Sequence, residues 1–188
     1  MELRDMLRNL DPEIAAKLSS MSTDRMAMFH ATCEYHLIDE NLYVHFLMDE
    51  KAVQSWRTFF QALLHLEEGK AFVWHCTDGK DRTGCAAMLI LSALGADRET
   101  ILSDYMLTNQ VNRQKVEGIR QRFAHSMPED RLKLLMFLGG GVDEAYMLNA
   151  ISALNRTYGS VIGYLKDALG LSEEDLETLR RRYLEDPA

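Results

Sequence analysis

One short stretch gathers the reactive side chains of this sequence: His75-Cys76-Thr77-Asp78-Gly79-Lys80-Asp81-Arg82-Thr83-Gly84. Five residues separate Cys76 from Arg82. A loop over that span turns successive backbone N–H groups inward, and with the start of a following helix they form a cradle of phosphate size. Gly79 permits the backbone turn, and the planar fork of Arg82 matches two phosphate oxygens. Cys76, on the floor of the cradle, would face phosphorus. The field that attracts phosphate also favours its thiolate, so its pKa is expected well below the free value of about 8.5. Thr83 can donate its hydroxyl hydrogen to the sulfur. The chemistry implied is phosphoryl transfer to sulfur followed by hydrolysis of the phosphocysteine. Arg82 and the amides neutralise the charge, so no metal or other cofactor is called for. The leaving oxygen needs a proton, which asks for a carboxylic acid close by.

These residues must be held between a strand end and a helix start. The run 71–75 is short, apolar and rich in strand formers, and predicts a buried strand. The apolar run 85–94, closed by Gly95, predicts a buried helix with a glycine cap. Elsewhere the chain reads as helix. Asp11-Pro12-Glu13 and Ser22-Thr23-Asp24 are helix starts, a short strand is expected over 34–38, and helical spacing runs from about Asp49 to Leu64. Further helices are expected over 97–109, 112–125, from Pro128, over 143–155, 158–169 and 172–184, with Ser172 as the last cap. Gly139-Gly140-Gly141 reads as a loop.

Composition narrows the function. The chain has 188 residues, enough for one domain with a real core, and no linker divides it. Its formal charge of −8 argues against nucleic acid as a partner, so an anionic substrate needs a local positive site. Three cysteines, Cys33, Cys76 and Cys85, imply no disulfide framework. Apolar runs are too short for a transmembrane segment, and residues 1–10 lack a signal-peptide core. A cytoplasmic location is expected.

The loop resembles the phosphate loop of the cysteine-dependent protein tyrosine phosphatases. It is similar above all to a bacterial branch that includes dual-specificity and phosphoinositide-active enzymes. Asp104-Tyr105-Met106-Leu107-Thr108-Asn109 is similar to that branch's Asp-Tyr-Leu-Leu-Ser-Asn. Tyr158-Gly159-Ser160-Val161, Tyr164-Leu165 and Leu169-Gly170-Leu171 resemble its carboxy-terminal ending. The likeness covers about Tyr43 to Leu184. It implies an α/β fold, helix-rich, with a small central parallel sheet that ends in the loop. It also implies a phosphatase acting on phosphotyrosine proteins, with an inositol-phosphate substrate as the alternative. Two departures stand out. Asp78 replaces the branch's usual Ala and makes the loop look also like that of the myotubularins, which act on inositol lipids. The branch's amino-terminal strands and Asp-Leu-Arg-Ser segment are matched at best by Glu2-Leu3-Arg4. The amino-terminal part has either diverged, or the chain is a fragment.

Cys76, Arg82 and Asp81 are the expected catalytic residues. Asp81 stands directly before the arginine, and the resemblance implies that it is the general acid; its plainer reading is a carboxylate bonded to loop amides. Asp39 and Asp49 are reserve acids. His75, Thr77, Asp78, Gly79, Lys80 and Thr83 are expected to contribute to the substrate site. Among them His75 orders the loop, Asp78 points away from phosphate, and Lys80 is either a solvated charge or a contact for a second phosphate. Cys85 and Cys33 read as core thiols, although Cys85 could pair with Cys76 under oxidation. Arg113, Lys115, Arg120 and Arg122 form a solvated helix face or flank the cleft as part of a helical lid. A catalytically silent phosphate-binding module is the reading outside the enzymes, and a rhodanese-type sulfur transferase is a distant third.

Overall fold

The computed structural model describes residues 11–21 and 23–185. Ser22 and the Glu2-Leu3-Arg4 remnant lie outside the described residues. The helices are α1 (Pro12–Ser20), α2 (Arg25–Glu34), α3 (Leu42–Met48), α4 (Glu50–Leu64), α5 (Asp81–Leu94), α6 (Arg98–Val111), α7 (Arg113–Phe123), α8 (Glu129–Leu138), α9 (Glu144–Tyr158), α10 (Val161–Asp167) and α11 (Glu173–Tyr183). Side-chain caps start many of them. Asp11, Asp24, Asp97, Asp143 and Ser160 each accept a hydrogen bond from an otherwise unpaired first-turn amide, and Ser172 with Asp175 forms a reciprocal capping box. No helix among the described residues is long and apolar enough to cross a membrane.

Helix α5 is the axis of the core. Cys85, Ala86, Met88, Leu89 and Ala93 are all buried, as a helix apolar around most of its circumference must be. It packs against α3, α6, α10 and α11, while α9 rests on α3 and α10. Burying a side chain such as Leu89 contributes about 1.5–3 kcal/mol. The amino-terminal turn of α5, where the polar loop residues lie, is therefore held by the apolar contacts of its remaining turns.

The expected central parallel sheet is not formed. Among the described residues there is no strand, and the fold is all-α. Residues 71–76 are extended, and their side chains alternate as a strand's would. Phe72 and Trp74 turn inward, stacked at 6.5 Å and set edge-on to Phe59 at 5.4 and 6.1 Å. Val73 between them is 83% exposed. A strand needs a neighbour to share its ladder of hydrogen bonds, and no described segment pairs with this one. Residue preference predicts extended backbone here, but preference cannot supply the pairing. The strand expected over 34–38 is also absent. Helix α2 runs to Glu34, and the chain then turns through His36, which sits at φ 47. Helix α3 was not legible as a separate helix, being seven residues long without a side-chain cap bond.

Candidate active site

The extended segment delivers the chain to Cys76, residues 77–80 make the tight loop, and α5 starts at Asp81. That is four residues earlier than the apolar pattern predicts, so Asp81, Arg82, Thr83 and Gly84 form the first turn of the helix. Gly79 has φ +65, a left-handed conformation that glycine adopts without strain. Gly84 answers a different need. A Cβ there would lie 2.9 Å from the Tyr105 ring, so only glycine lets α5 approach α6 this closely.

Short bonds tie the two ends of the loop together. The Cys76 backbone N–H donates to Thr83 Oγ1 at 3.1 Å, which leaves the threonine hydroxyl hydrogen for the cysteine sulfur. Arg82 Nη2 donates to Thr77 Oγ1 at 3.2 Å, and Trp74 Nε1 donates to the Thr83 carbonyl at 3.4 Å. His75 is exposed, and its Nδ1 lies 3.1 Å from the Cys76 carbonyl oxygen. Burial alone would push the Cys76 thiol up. The Thr83 hydroxyl and the amides of Thr83, Lys80 and Asp78 outweigh it and bring the pKa down to about 7.

Lys80 departs from a solvated charge. It is only 3% exposed. Its Nζ donates to the Phe137 carbonyl at 2.5 Å and to the Gly141 carbonyl at 2.9 Å. It also lies 4.2 Å from the Phe137 ring centre. A cation at the exit of α8 complements the carbonyls left unpaired there. Burial lowers its pKa, opposed by the neighbouring carboxylates Asp81 and Asp78. The exit itself is braced from α6 by Asn109, which exchanges two hydrogen bonds with Val142, and by Asn112, which donates to the Gly140 carbonyl.

Asp81 is partly buried. Tyr43 of α3 donates to its Oδ1 at 2.6 Å, and Lys80 Nζ lies 3.6 Å from its Oδ2. The reserve acids bond elsewhere: Asp39 accepts from the Asn41 amide, and Asp49 pairs with His45 at 3.2 Å. Thr77, Asp78 and Gly79 are exposed at the loop tip. Asp78, Lys80 and Asp81 line one end of a cavity of about 730 Å³ whose walls include Phe29, Leu42, Phe46 and Leu135. Lys115 of the basic group also lines it, and Arg113, Lys115, Arg120 and Arg122 are all exposed. Cys85 is fully buried, Cys33 partly. Among the described residues no cluster of three or more His, Cys, Asp or Glu could hold a metal ion.

Tyr43 is the participant that residue types do not reveal. It sits buried in the apolar stretch of α3. Only its meeting with Asp81, 38 positions away, distinguishes it. Tyr105, its neighbour at 2.8 Å, belongs to the Asp104–Asn109 stretch whose likeness to the family was apparent.

The loop thus seats a low-pKa thiol ahead of a helix start, with an arginine tied across it. A profile described as the tyrosine phosphatase family matches residues 6–185, and the chain belongs to that family. It is 40% identical over 118 residues to a protein of Cupriavidus necator whose name places it among the tyrosine-protein phosphatases; the match covers 62% of this chain and 40% of that one. It is 34% identical over 148 residues to the triple specificity protein phosphatase PtpB of Mycobacterium tuberculosis, covering 72% of this chain and 53% of the relative. A tyrosine-protein phosphatase of Nostoc commune is 28% identical over 183 residues, or 95% of this chain and 60% of its own length. The chain thus spans about half the length of these relatives.

Proposed function

We propose that this chain is a phosphomonoesterase that hydrolyses phosphotyrosine through a phosphocysteine, without a metal. The observation that carries the reading is the Cys76 sulfur, held near pKa 7 by donors of its own loop, with Arg82 six residues on. The thiolate attacks phosphorus, and the bond from phosphorus to the leaving oxygen breaks. Asp81 gives that oxygen its proton. Water then attacks the phosphocysteine and passes a proton to the Asp81 carboxylate. The P–S bond breaks, phosphate leaves and the thiolate returns. Arg82 and the loop amides hold the equatorial oxygens, where charge accumulates.

Two features support an aryl monophosphate over an inositol polyphosphate. The cavity beside Asp81 has largely apolar walls that suit a ring. Lys80, the group best placed for a second phosphate, is buried against two carbonyls. The name of the mycobacterial relative brings other phosphoester classes into the test. Purified protein, with chelator present, is assayed against phosphotyrosine, phosphoserine and phosphothreonine peptides and a soluble inositol polyphosphate. Phosphotyrosine turnover that vanadate blocks and chelator spares is expected. Activity confined to the inositol substrate would reverse the assignment, and tight phosphate binding without turnover of any substrate would make the chain a silent binding module.

A further inference from the structure

The described residues contain two fully buried tyrosines, and they use their hydroxyls differently. Tyr164 donates to the Leu47 carbonyl at 2.5 Å, which is how a core phenol usually finds a main-chain partner. Tyr43 donates instead to the loop carboxylate, at 2.6 Å. Its ring packs with Phe46, Tyr105 and Tyr146 at 5.5–6.0 Å, so the ring is already accounted for by the core. The hydroxyl is not. Burial, the charge of Asp81 and the neighbouring Tyr105 hydroxyl all push the Tyr43 pKa up, so Tyr43 remains a donor throughout the working pH range.

A phenol has one hydrogen to give. With the Tyr43 hydrogen on Asp81, the 2.8 Å contact between the two tyrosines is a hydrogen bond only when Tyr105 donates to Tyr43. The single Tyr105 hydrogen has a second acceptor in the Asp143 carbonyl at 3.3 Å, and the shorter contact favours Tyr43. In that arrangement the hydroxyls run as a chain from α6 through α3 to the first residue of α5. We propose that Tyr43 is the positioning residue for Asp81, supported by Tyr105. By occupying Oδ1 it leaves Oδ2 to carry the proton that goes to the leaving oxygen. The bond survives the transfer, because Oδ1 accepts from Tyr43 whether Asp81 is acid or carboxylate. The carboxyl plane is thus fixed through both halves of the cycle, while Lys80 contributes only an ion-pair contact at 3.6 Å. This assignment rests on Asp81 being the general acid.

The test compares Tyr43→Phe, Tyr105→Phe and Asp81→Asn on aryl phosphates running from phenyl to dinitrophenyl phosphate. General-acid catalysis is worth about 10²–10⁴-fold, so misaligning the acid should cost kcat/KM, which reports the phosphoryl-transfer half of the cycle, about tenfold or more on phenyl phosphate. Dinitrophenyl phosphate, whose phenoxide leaves unaided, should lose less than about threefold in kcat/KM. Tyr105→Phe should steepen the leaving-group dependence in the same sense but less. Because Tyr105→Phe keeps the Tyr43 hydroxyl, it decides the matter if Tyr43→Phe does not fold. An equal loss on every substrate, or no loss, in both tyrosine variants overturns the positioning role. A leaving-group slope in Asp81→Asn that matches the wild type removes Asp81 as the acid and the proposal with it. A steep slope in Asp81→Asn beside wild-type slopes in the tyrosine variants removes the proposal alone.

Discussion

Cys76 ends the extended segment that enters the loop, and Cys85 is the fifth residue of α5, packed against the core. For both thiols burial is the largest influence and pushes the pKa up. In the loop a hydroxyl and three amides answer it, and Cys76 comes down to about 7. In the helix nothing answers it: the charges of Asp81 and Cys76 push in the same direction, and Cys85 is held far above the thiol range. Two cysteines nine positions apart are thereby given opposite chemistry. Donor geometry together with depth, rather than residue type, sets the two thiols apart.

The largest effect expected from breaking this contrast comes from exchanging each thiol for a hydroxyl. Cys76→Ser should lower kcat by at least about 10⁴-fold, as losing a nucleophile does, while phosphate binding survives in the backbone cradle. Cys85→Ser should keep kcat near wild type and act on stability. It leaves a buried hydroxyl to find a partner, at a cost of about 1–3 kcal/mol in denaturant unfolding. Equal losses of turnover in the two variants would dissolve the distinction.

The next effect concerns the charge across the loop. Arg82→Lys keeps the positive charge but loses the planar fork that bonds Thr77 and, in the proposed reaction, grips two phosphate oxygens. A fall of roughly 10²–10³-fold in kcat/KM is expected from steady-state kinetics. Near-normal kinetics would mean that the arginine holds the loop and nothing more.

The smallest effect sharpens the contrast by weakening the donors. Turnover needs the thiolate, so kcat/KM should rise with pH through about 7. Thr83→Ala removes the first of the pKa-lowering bonds, which stabilise the charged form. The ascending limb should therefore move to higher pH, by up to about one unit. An unmoved limb in the variant would assign the lowered pKa to the amides alone.

Much of the stretch from His75 to Gly84 was legible as a tight loop leading into a helix because what turns it is local. Backbone turning at Gly79, amides at a helix start and the spacing from Cys76 to Arg82 are settled within a few residues. The same holds for the helix caps at Asp11 and Ser172, where a side chain bonds an amide two or three positions on. Lys80 was the misleading member, since a lysine in a loop reads as solvated or ligand-facing until residues 57 and 61 positions away close over it. The sheet failed for the complementary reason. Val73 and its neighbours have the preference for extended backbone, but a ladder is a property of two segments, and no second one is present among the described residues. The Tyr43 ring belongs to the core. What its hydroxyl does was decided when α3 packed against α5 and brought a phenol to a carboxylate 38 residues away, because local preference sets conformation while only packing sets which distant polar groups meet.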